Sequence, residues 1–278
     1  MKNSNPVLLK ELKLRFRFVK SVVGLLFYLI TLLVFVYAYL SIVGMDGLKG
    51  FIRPTDSMLL FLILSVAQMC LVLFITPGLT AGAISTEREK QTLNMLLTTT
   101  QTSWQIVFGK VTSSIAYLGL FLIAALPIYS IVFLFGGVSP SQVIFATFLY
   151  FITMVAVGAT GVMISTLIRK TIPAMITSYS VSLFLVVFTA IFFSISMALM
   201  SMDANGTDIF NPIAYVWLSL NPVAAVLSIL SPNVALAISE TTGITLPLHY
   251  FYILFCIVLT TVSLYVATKK LRVNMKKG

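Results

Sequence analysis

The chain has few charged residues: Asp, Glu, Lys and Arg make up 9% of its 278 residues, whereas 59% are apolar. About a quarter of the residues in a soluble domain are charged, so this composition excludes an ordinary globular fold and predicts a membrane protein. Cysteine and histidine are also scarce. Cys70 and Cys256 both fall inside apolar runs, where we expect small buried hydrophobic residues. His249 is the single histidine, which excludes a metal site of the H-E-x-x-H type.

Six apolar runs are long enough to cross a bilayer, which requires roughly twenty residues. They are residues 21–43, 58–83, 106–135, 142–168, 172–200 and 250–268. None of them carries Asp, Glu, Lys or Arg at mid-depth. Ion-coupled transporters and proton relays usually place ionisable groups there, so the energy for any transport must come from outside the spans. We therefore predict an all-α integral membrane protein of about six transmembrane helices in one transmembrane domain, residues 1–278.

The basic residues fall almost entirely on one side of the predicted spans. If both termini are cytoplasmic, sixteen Lys and Arg residues lie on the cytoplasmic side and only Lys49 and Arg53 lie outside. Cytoplasmic loops are enriched in Lys and Arg, so the sequence predicts this orientation. The basic inner surface suits anionic lipid headgroups, and no interleaving of basic and aromatic residues indicates nucleic-acid binding.

Small residues recur within the spans at spacings that place them on one helix face. Gly78 and Gly82 form one such pair, and Gly158, Gly161 and Ser165 form another set. Small side chains allow helix backbones to approach closely. Packing within one subunit is the favoured use, and a contact between subunits stays open.

Residues 209–231 are apolar but interrupted. Asn211-Pro212 and Asn221-Pro222 break the segment, and Ser231-Pro232 closes it. Proline removes a backbone donor and disfavours helix at the preceding residue. A seventh span would also place the basic C-terminus outside. We predict two short re-entrant helices on the outer side, with a true span as the alternative.

Two further segments are predicted to lie on the cytoplasmic side. Residues 5–20 have a basic face beside an apolar stripe, which is typical of an amphipathic helix at a membrane interface. A second helix is predicted over Ser85–Leu97, because Thr86 and Glu89 have capping-box spacing. Glu87 and Glu89 fall in its first turn, where carboxylates interact favourably with the helix dipole.

Three motifs resemble the permease subunits of type-two ABC exporters. They are N-P-x-x-x-K-E near the start, E-x-E-x-x-T-L-x-x-L-L after the second run, and Gly109-Lys110 in the third. The resemblance implies an N-terminal connecting helix and a coupling helix over 85–97, both touching a separate ATPase. The matching positions are Pro6, Lys10 and Glu11 in the connecting helix, and Glu87, Glu89, Thr92, Leu93, Leu96 and Leu97 in the coupling helix.

The resemblance also implies the partners and the location. We expect two copies of an ABC ATPase subunit that bind ATP and Mg²⁺, a second permease subunit of the same or a similar kind, and membrane lipid. The chain itself is expected to hold no cofactor, metal or catalytic residue, and to lie in a bacterial plasma membrane with both termini cytoplasmic. Its uncharged spans favour an apolar or amphipathic cargo, such as a peptide, lipid or drug-like molecule.

Three other functions are open to a chain of this composition. A membrane scaffold or immunity-type protein would explain the absence of chemistry but leaves the coupling segment without a role. A secondary transporter would need coupling charges or inverted repeats, and neither is visible. An intramembrane enzyme would need an acid–base pair within the spans. A neighbouring gene for an ABC ATPase would favour the exporter.

Overall fold

The computed structural model of the chain describes residues 19–46, 54–92, 102–134, 136, 138–203 and 211–273. These residues form helices and contain no strand. Nearly all of the predicted connecting helix lies outside them, including Pro6, Lys10 and Glu11, and so do Leu93, Leu96 and Leu97 of the predicted coupling helix.

Six helical segments are long and apolar enough to cross a membrane, which confirms the all-helical fold with six spans. Five described helices precede the fifth span. In chain order, α1 to α5 have the bounds Val19–Asp46, Pro54–Thr80, Ser85–Glu89, Ser103–Leu134 and Pro140–Leu167, and all except the short α3 are spans. The fifth span consists of α6, a π-helical turn and α7, with bounds Thr171–Leu183, Phe184–Phe188 and Thr189–Asp203. The sixth is α11, Leu248–Val273, and three short helices precede it: α8, Pro212–Ser219, α9, Pro222–Leu230, and α10, Pro232–Thr242.

Helix α5 lies at the centre of the bundle, packed against α2, α4, α6 and α11. Its middle turns carry small residues, and Ala156, Gly158, Ala159 and Gly161 are all buried. Large apolar side chains instead cover the outer faces of the other spans, as at Phe27, Ile123 and Leu254. This distribution is expected of membrane helices. Small residues inside the bundle let the helix backbones approach closely, whereas large apolar side chains on the outside can contact lipid or another membrane subunit.

The glycines singled out in the sequence pack within this one chain. A Cβ atom at Gly78 would lie 2.7 Å from the Tyr179 hydroxyl of α6. A Cβ at Gly161 would collide with the hydroxyl of Thr80 in α2 and lie 3.4 Å from the Ser178 hydroxyl. The absent side chains therefore bring α2, α5 and α6 together, and the favoured interpretation of these residues is confirmed.

The helices before the last span form a cap at the end of the bundle where α7 ends and α11 begins. Helices α8 and α9 meet at an angle of 96°. Two short helices match the prediction for residues 209–231, but the third, α10, was not predicted. Pro232 was interpreted as a terminator, whereas it occupies the first turn of α10, where a missing N–H costs nothing. Gly243 ends α10 in the left-handed conformation, with φ of 71°.

The cap is fastened to the fifth span by two asparagines. The Asn211 carboxamide oxygen caps α8 at the Ala214 N–H, and its nitrogen donates to the Ser196 carbonyl. Asn221 repeats the arrangement ten residues later: its oxygen caps α9, and its nitrogen donates to the Val186 carbonyl. Val186 lies in the π-helical turn, where the wider winding disturbs the regular pairing of carbonyls. Each Asn-Pro pair thus begins a short helix and binds it to α6–α7.

Candidate functional site

The segment after α2 lies at the end of the bundle where α2 and α5 end and α4 and α6 begin; we call this the proximal end. A separate apolar cluster forms its core. Its members are Ile84, Ile106, Val107, Val111, Val162, Ala267 and Leu271, contributed by the segment after α2 and by α4, α5 and α11. The segment therefore packs into the bundle at this end.

A serine of α5 holds the turn that joins α2 to α3. Helix α2 ends at Thr80, and the turn leaves the N–H groups of Ile84 and Ser85 without a backbone acceptor. Both donate to the Ser165 hydroxyl oxygen at 2.9 Å. The Ser165 hydroxyl in turn donates to Ser85 Oγ at 3.2 Å. Because buried N–H groups need an acceptor, this one side chain allows the backbone to turn inside the bundle.

Helix α3 is shorter than predicted, because it ends at Glu89 instead of continuing to Leu97. Gln91 adopts the left-handed conformation, with φ of 57°. The Gln91 N–H donates to the Arg88 carbonyl and the Thr92 N–H donates to the Glu87 carbonyl. These two bonds form a Schellman motif, which terminates a helix and turns the chain away from its axis. The predicted helix over Ser85–Leu97 is therefore wrong over residues 90–92, and its remainder, residues 93–97, lies outside the described residues.

The predicted capping box is also wrong. Ile84 occupies the N-cap position and no side chain caps α3. The Thr86 hydroxyl instead contacts the Thr171 hydroxyl of α6 at 3.3 Å. The two carboxylate oxygens of Glu89 accept from the Thr171 N–H at 2.9 Å and from its hydroxyl at 2.7 Å. Glu89 thus caps the first turn of α6, where a carboxylate also interacts favourably with the helix dipole.

Glu87 forms an ion pair inside the proximal end. Its Oε1 accepts from the ammonium group of Lys110 in α4 at 2.7 Å. The Lys110 side chain is only 4% exposed, and that of Glu87 is 25% exposed. A lysine so deeply buried requires a charged partner, because an unpaired ammonium loses its hydration without compensation.

The remaining charged residues of α3 divide between the interior and the surface. The Arg88 guanidinium donates to the Thr166 carbonyl at the end of α5, at 3.1 Å. Lys90 is exposed at the end of α3, and Arg169 and Lys170 are exposed in the connection between α5 and α6. Glu87 is paired with Lys110, so the described surface around the end of α3 carries three exposed basic residues and the single exposed carboxylate of Glu89, and it is basic on balance.

The structure brings together three of the predicted coupling residues, Glu87, Glu89 and Thr92, within α3 and the turn that ends it. Sequence reasoning named Lys110 only as part of a family motif and Ser165 only as a small residue for helix packing, and it missed Thr171; the role of all three in holding this segment to α4, α5 and α6 was not predicted. A lysine just inside an apolar run was a signal that could have identified the role of Lys110. The roles of Ser165 and Thr171 offered no such signal, since Ser and Thr are common in membrane helices.

The interior of the bundle holds uncharged polar groups at mid-length of the spans. The Tyr28 hydroxyl donates to the Gln68 carboxamide oxygen at 2.7 Å, and the Tyr150 hydroxyl donates to the Ser65 carbonyl at 3.2 Å. The hydroxyls of Thr153 and Tyr252 lie 2.7 Å apart. Among the described residues there is no group of three or more His, Cys, Asp or Glu that could hold a metal ion. The polar interactions described for the proximal end and for the interior of the bundle are hydrogen bonds and the ion pair of Glu87 with Lys110.

Comparison with known proteins accounts for this architecture. Residues 8–272 match the protein-family model described as ABC-2 family transporter protein. No curated protein matches the chain significantly. The family match covers nearly all of the chain, including the six spans, α3 and the cap. The chain belongs to the ABC-2 transporter family, as a permease subunit that spans the membrane.

Proposed function

We propose that the chain is the membrane-spanning permease subunit of an ATP-driven ABC exporter. Two ABC ATPase subunits dock at the proximal end, which faces the cytoplasm of a bacterial cell, and a second permease subunit completes the pathway. The coupling residues are Glu87, Glu89 and Thr92 of the described segment, together with Leu93, Leu96 and Leu97. Closure of the ATPase pair moves this end, and the spans reorient as rigid bodies.

The attachment of α3 to three spans carries this proposal. The segment is bonded to α4 through Lys110, to α5 through Ser165 and to α6 through Thr171. A force applied to α3 is therefore passed to three spans at once. A solvated loop with no mechanical role would need none of these contacts.

The described interior supports an apolar or amphipathic cargo. Polar side chains in the middle of the spans are hydroxyls and carboxamides, which carry no charge that would bind or select an inorganic ion. On the outer surface, an open groove of about 710 Å³ between α1 and α2 is lined by apolar side chains, including the exposed Phe35, Ile63 and Phe74. Its volume is in the range of small-molecule sites, about 300–1,000 Å³. Peptides, lipids and drug-like molecules share this character.

The test is transport by the purified complex. The chain is co-expressed with an ABC ATPase subunit, purified, and reconstituted into vesicles with the ATPase outside. We expect co-purification of both chains and ATP-dependent uptake of a labelled short-chain phospholipid or a labelled hydrophobic peptide. ATP-dependent movement of rubidium or sodium alone would contradict the cargo class. Cargo movement without ATP, or a chain that purifies with no ATPase, would contradict the exporter.

A further inference from the structure

Both carboxylates that the family resemblance assigns to ATPase contact are engaged within this chain. Glu89 uses its two oxygens on the N–H and hydroxyl groups of Thr171. Glu87 uses one oxygen on Lys110. Its other oxygen is buried and has no hydrogen-bond partner among the described residues. Glu87 cannot extend to another chain unless its bond to the buried Lys110 breaks, whereas the Glu89 side chain is exposed and keeps acceptor capacity beside its bonds to Thr171.

The pair formed by Glu87 and Lys110 joins two segments that lie 23 residues apart in sequence. Lys110 is buried, and its sequence neighbour Val111 belongs to the apolar cluster that also contains Ile84 and Val107. An ammonium group in such surroundings is stable only while its counter-charge stays in contact. The start of α4 is thus tied to α3 by an interaction that tolerates little relative displacement.

The other contacts of α3 act in the same direction. Ser165 accepts two backbone N–H groups from the turn before α3. The hydroxyls of Thr86 and Thr171 lie 3.3 Å apart. A Cβ atom at Gly82 would lie 3.0 Å from the Thr86 hydroxyl and 3.5 Å from the Thr171 methyl group, so the backbone of this turn passes close to α6. Swinging α3 away from α5 and α6 would break all of these contacts together.

We infer that Glu87 and Lys110 are a positioning pair, and that α3 moves with the proximal ends of α4, α5 and α6 as one rigid body instead of swinging as a separate lever. This inference rests on the proposed function and specifies how that function is carried out. The surface that contacts the ATPase is then the exposed end of the segment, Lys90, Gln91 and Thr92, with Arg169 and Lys170 beside it. Because this surface is basic, it fits an acidic surface on the ATPase.

A reversible crosslink separates a rigid body from a lever. The variant Thr86→Cys/Thr171→Cys, in a Cys70→Ser background, places two thiols where the hydroxyls lie 3.3 Å apart, within reach of a disulfide after small side-chain rotations. The reconstituted permease–ATPase complex is assayed for ATP-dependent uptake of labelled lipid or peptide, first oxidised and then reduced. If α3 and α6 move together, the oxidised complex should transport within about twofold of the reduced one, because the bond joins parts that do not separate.

Loss of transport on oxidation, with recovery on reduction, would overturn the inference. The single variants Thr86→Cys and Thr171→Cys are the matched controls for oxidation without the bond. Failure of the proposed function is distinguishable, because then the parent complex shows no transport in either redox state. In that case the charge reversals below test the positioning pair on the chain alone.

Charge reversal tests the pair itself. Glu87→Lys and Lys110→Glu should each lower the thermal transition of the purified chain by about 6 °C or more, and the combined reversal should recover most of that loss. In the complex, the coupling ratio (labelled cargo moved per ATP hydrolysed) should fall in the single variants and recover in the combined one, which a purely structural role would not predict.

Lys90→Glu is the surface control. It should weaken ATPase association, measured by co-purification, without changing the thermal transition, because the Lys90 side chain is exposed. An unchanged thermal transition in Glu87→Lys together with lost ATPase association would show that Glu87 contacts the ATPase directly, and would overturn the assignment. Unchanged association in Lys90→Glu, with loss of binding to anionic vesicles instead, would assign the basic surface to the membrane and overturn the docking surface.

Discussion

Replacing Gly161 with alanine should loosen the contact between α2 and α5. The new methyl group would collide with the Thr80 hydroxyl and lie 3.0 Å from the Thr80 Cβ atom. Thr80 cannot easily rotate away, because its hydroxyl donates to the Thr76 carbonyl at 2.8 Å. The two helices must therefore move apart, or the hydrogen bond must break.

Two effects of opposite sign determine the stability of this variant. Overpacking of a well-packed interior costs about 1–3 kcal/mol. Alanine in place of glycine within a helix gains about 0.5–1 kcal/mol, since it restricts the unfolded chain. The helix effect can be removed by comparison with Gly119→Ala in α4, where the new Cβ would have no atom within 4 Å. The difference between the two variants should therefore equal the overpacking cost, about 1–3 kcal/mol.

The assay is unfolding of the purified chain in mixed micelles, with the free energy of unfolding measured for both variants in the same detergent. Gly161→Ala should be less stable than Gly119→Ala by the amount above. Adding Thr80→Ala should recover part of the loss, because the nearest clashing atom is removed, and the coupling between the two substitutions should be about 0.5–3 kcal/mol. If Gly161→Ala proves as stable as Gly119→Ala, close packing of α2 on α5 through Gly161 is refuted.

Two further predictions concern hydrogen bonds. Ser165→Ala removes the acceptor of the Ile84 and Ser85 N–H groups. It should lower the free energy of unfolding by about 2–4 kcal/mol and speed hydrogen exchange at those two amides. Unchanged exchange would contradict the role of Ser165. Asn221→Ser keeps a capping oxygen for α9 but loses the bond to the Val186 carbonyl, whereas Asn221→Ala loses both. Asn221→Ala should therefore be less stable than Asn221→Ser by about 0.5–2 kcal/mol in the same unfolding assay, and equal stabilities would contradict the capping role.

The spans could be predicted from the sequence because the physical signal is local. About twenty consecutive apolar residues can satisfy their backbone in a bilayer only as a helix. The close approach at Gly78 and Gly161 was also predictable in kind, since small residues at helical spacing indicate helix contacts. Which helix each glycine meets depends on the tertiary arrangement, and one sequence does not contain that information in readable form.

The predictions for α3 failed where side chains bond to a residue distant in sequence instead of to the neighbouring backbone. Thr86 and Glu89 have the spacing of a capping box, yet both side chains bond to Thr171, which lies 85 and 82 residues further along the chain. Helix α3 ends at Glu89 because Gln91 adopts a left-handed conformation that glycine usually occupies. Neither outcome follows from propensity, since no glycine or proline marks the end of this helix.

Lys110 shows a different limit. When Lys and Arg are counted on each side of the predicted spans, Lys110 is assigned to the cytoplasmic side. This count predicts the orientation of the chain whether or not Lys110 is exposed. Burial of Lys110 depends on Glu87, which lies on a separate helix. The sequence provides both charges but gives no indication that they meet.

Attachment at two points restricts the cap more than attachment at one. A single hydrogen bond would let the cap rotate about its point of attachment to the fifth span. Bonds to the Ser196 and Val186 carbonyls, ten residues apart along that span, restrict this rotation. Rotation of the cap about the fifth span, or sliding along it, would displace Asn211 or Asn221, whose side chains also cap α8 and α9. Displacement of the fifth span relative to the cap would therefore break both bonds and uncover the start of α8 and of α9.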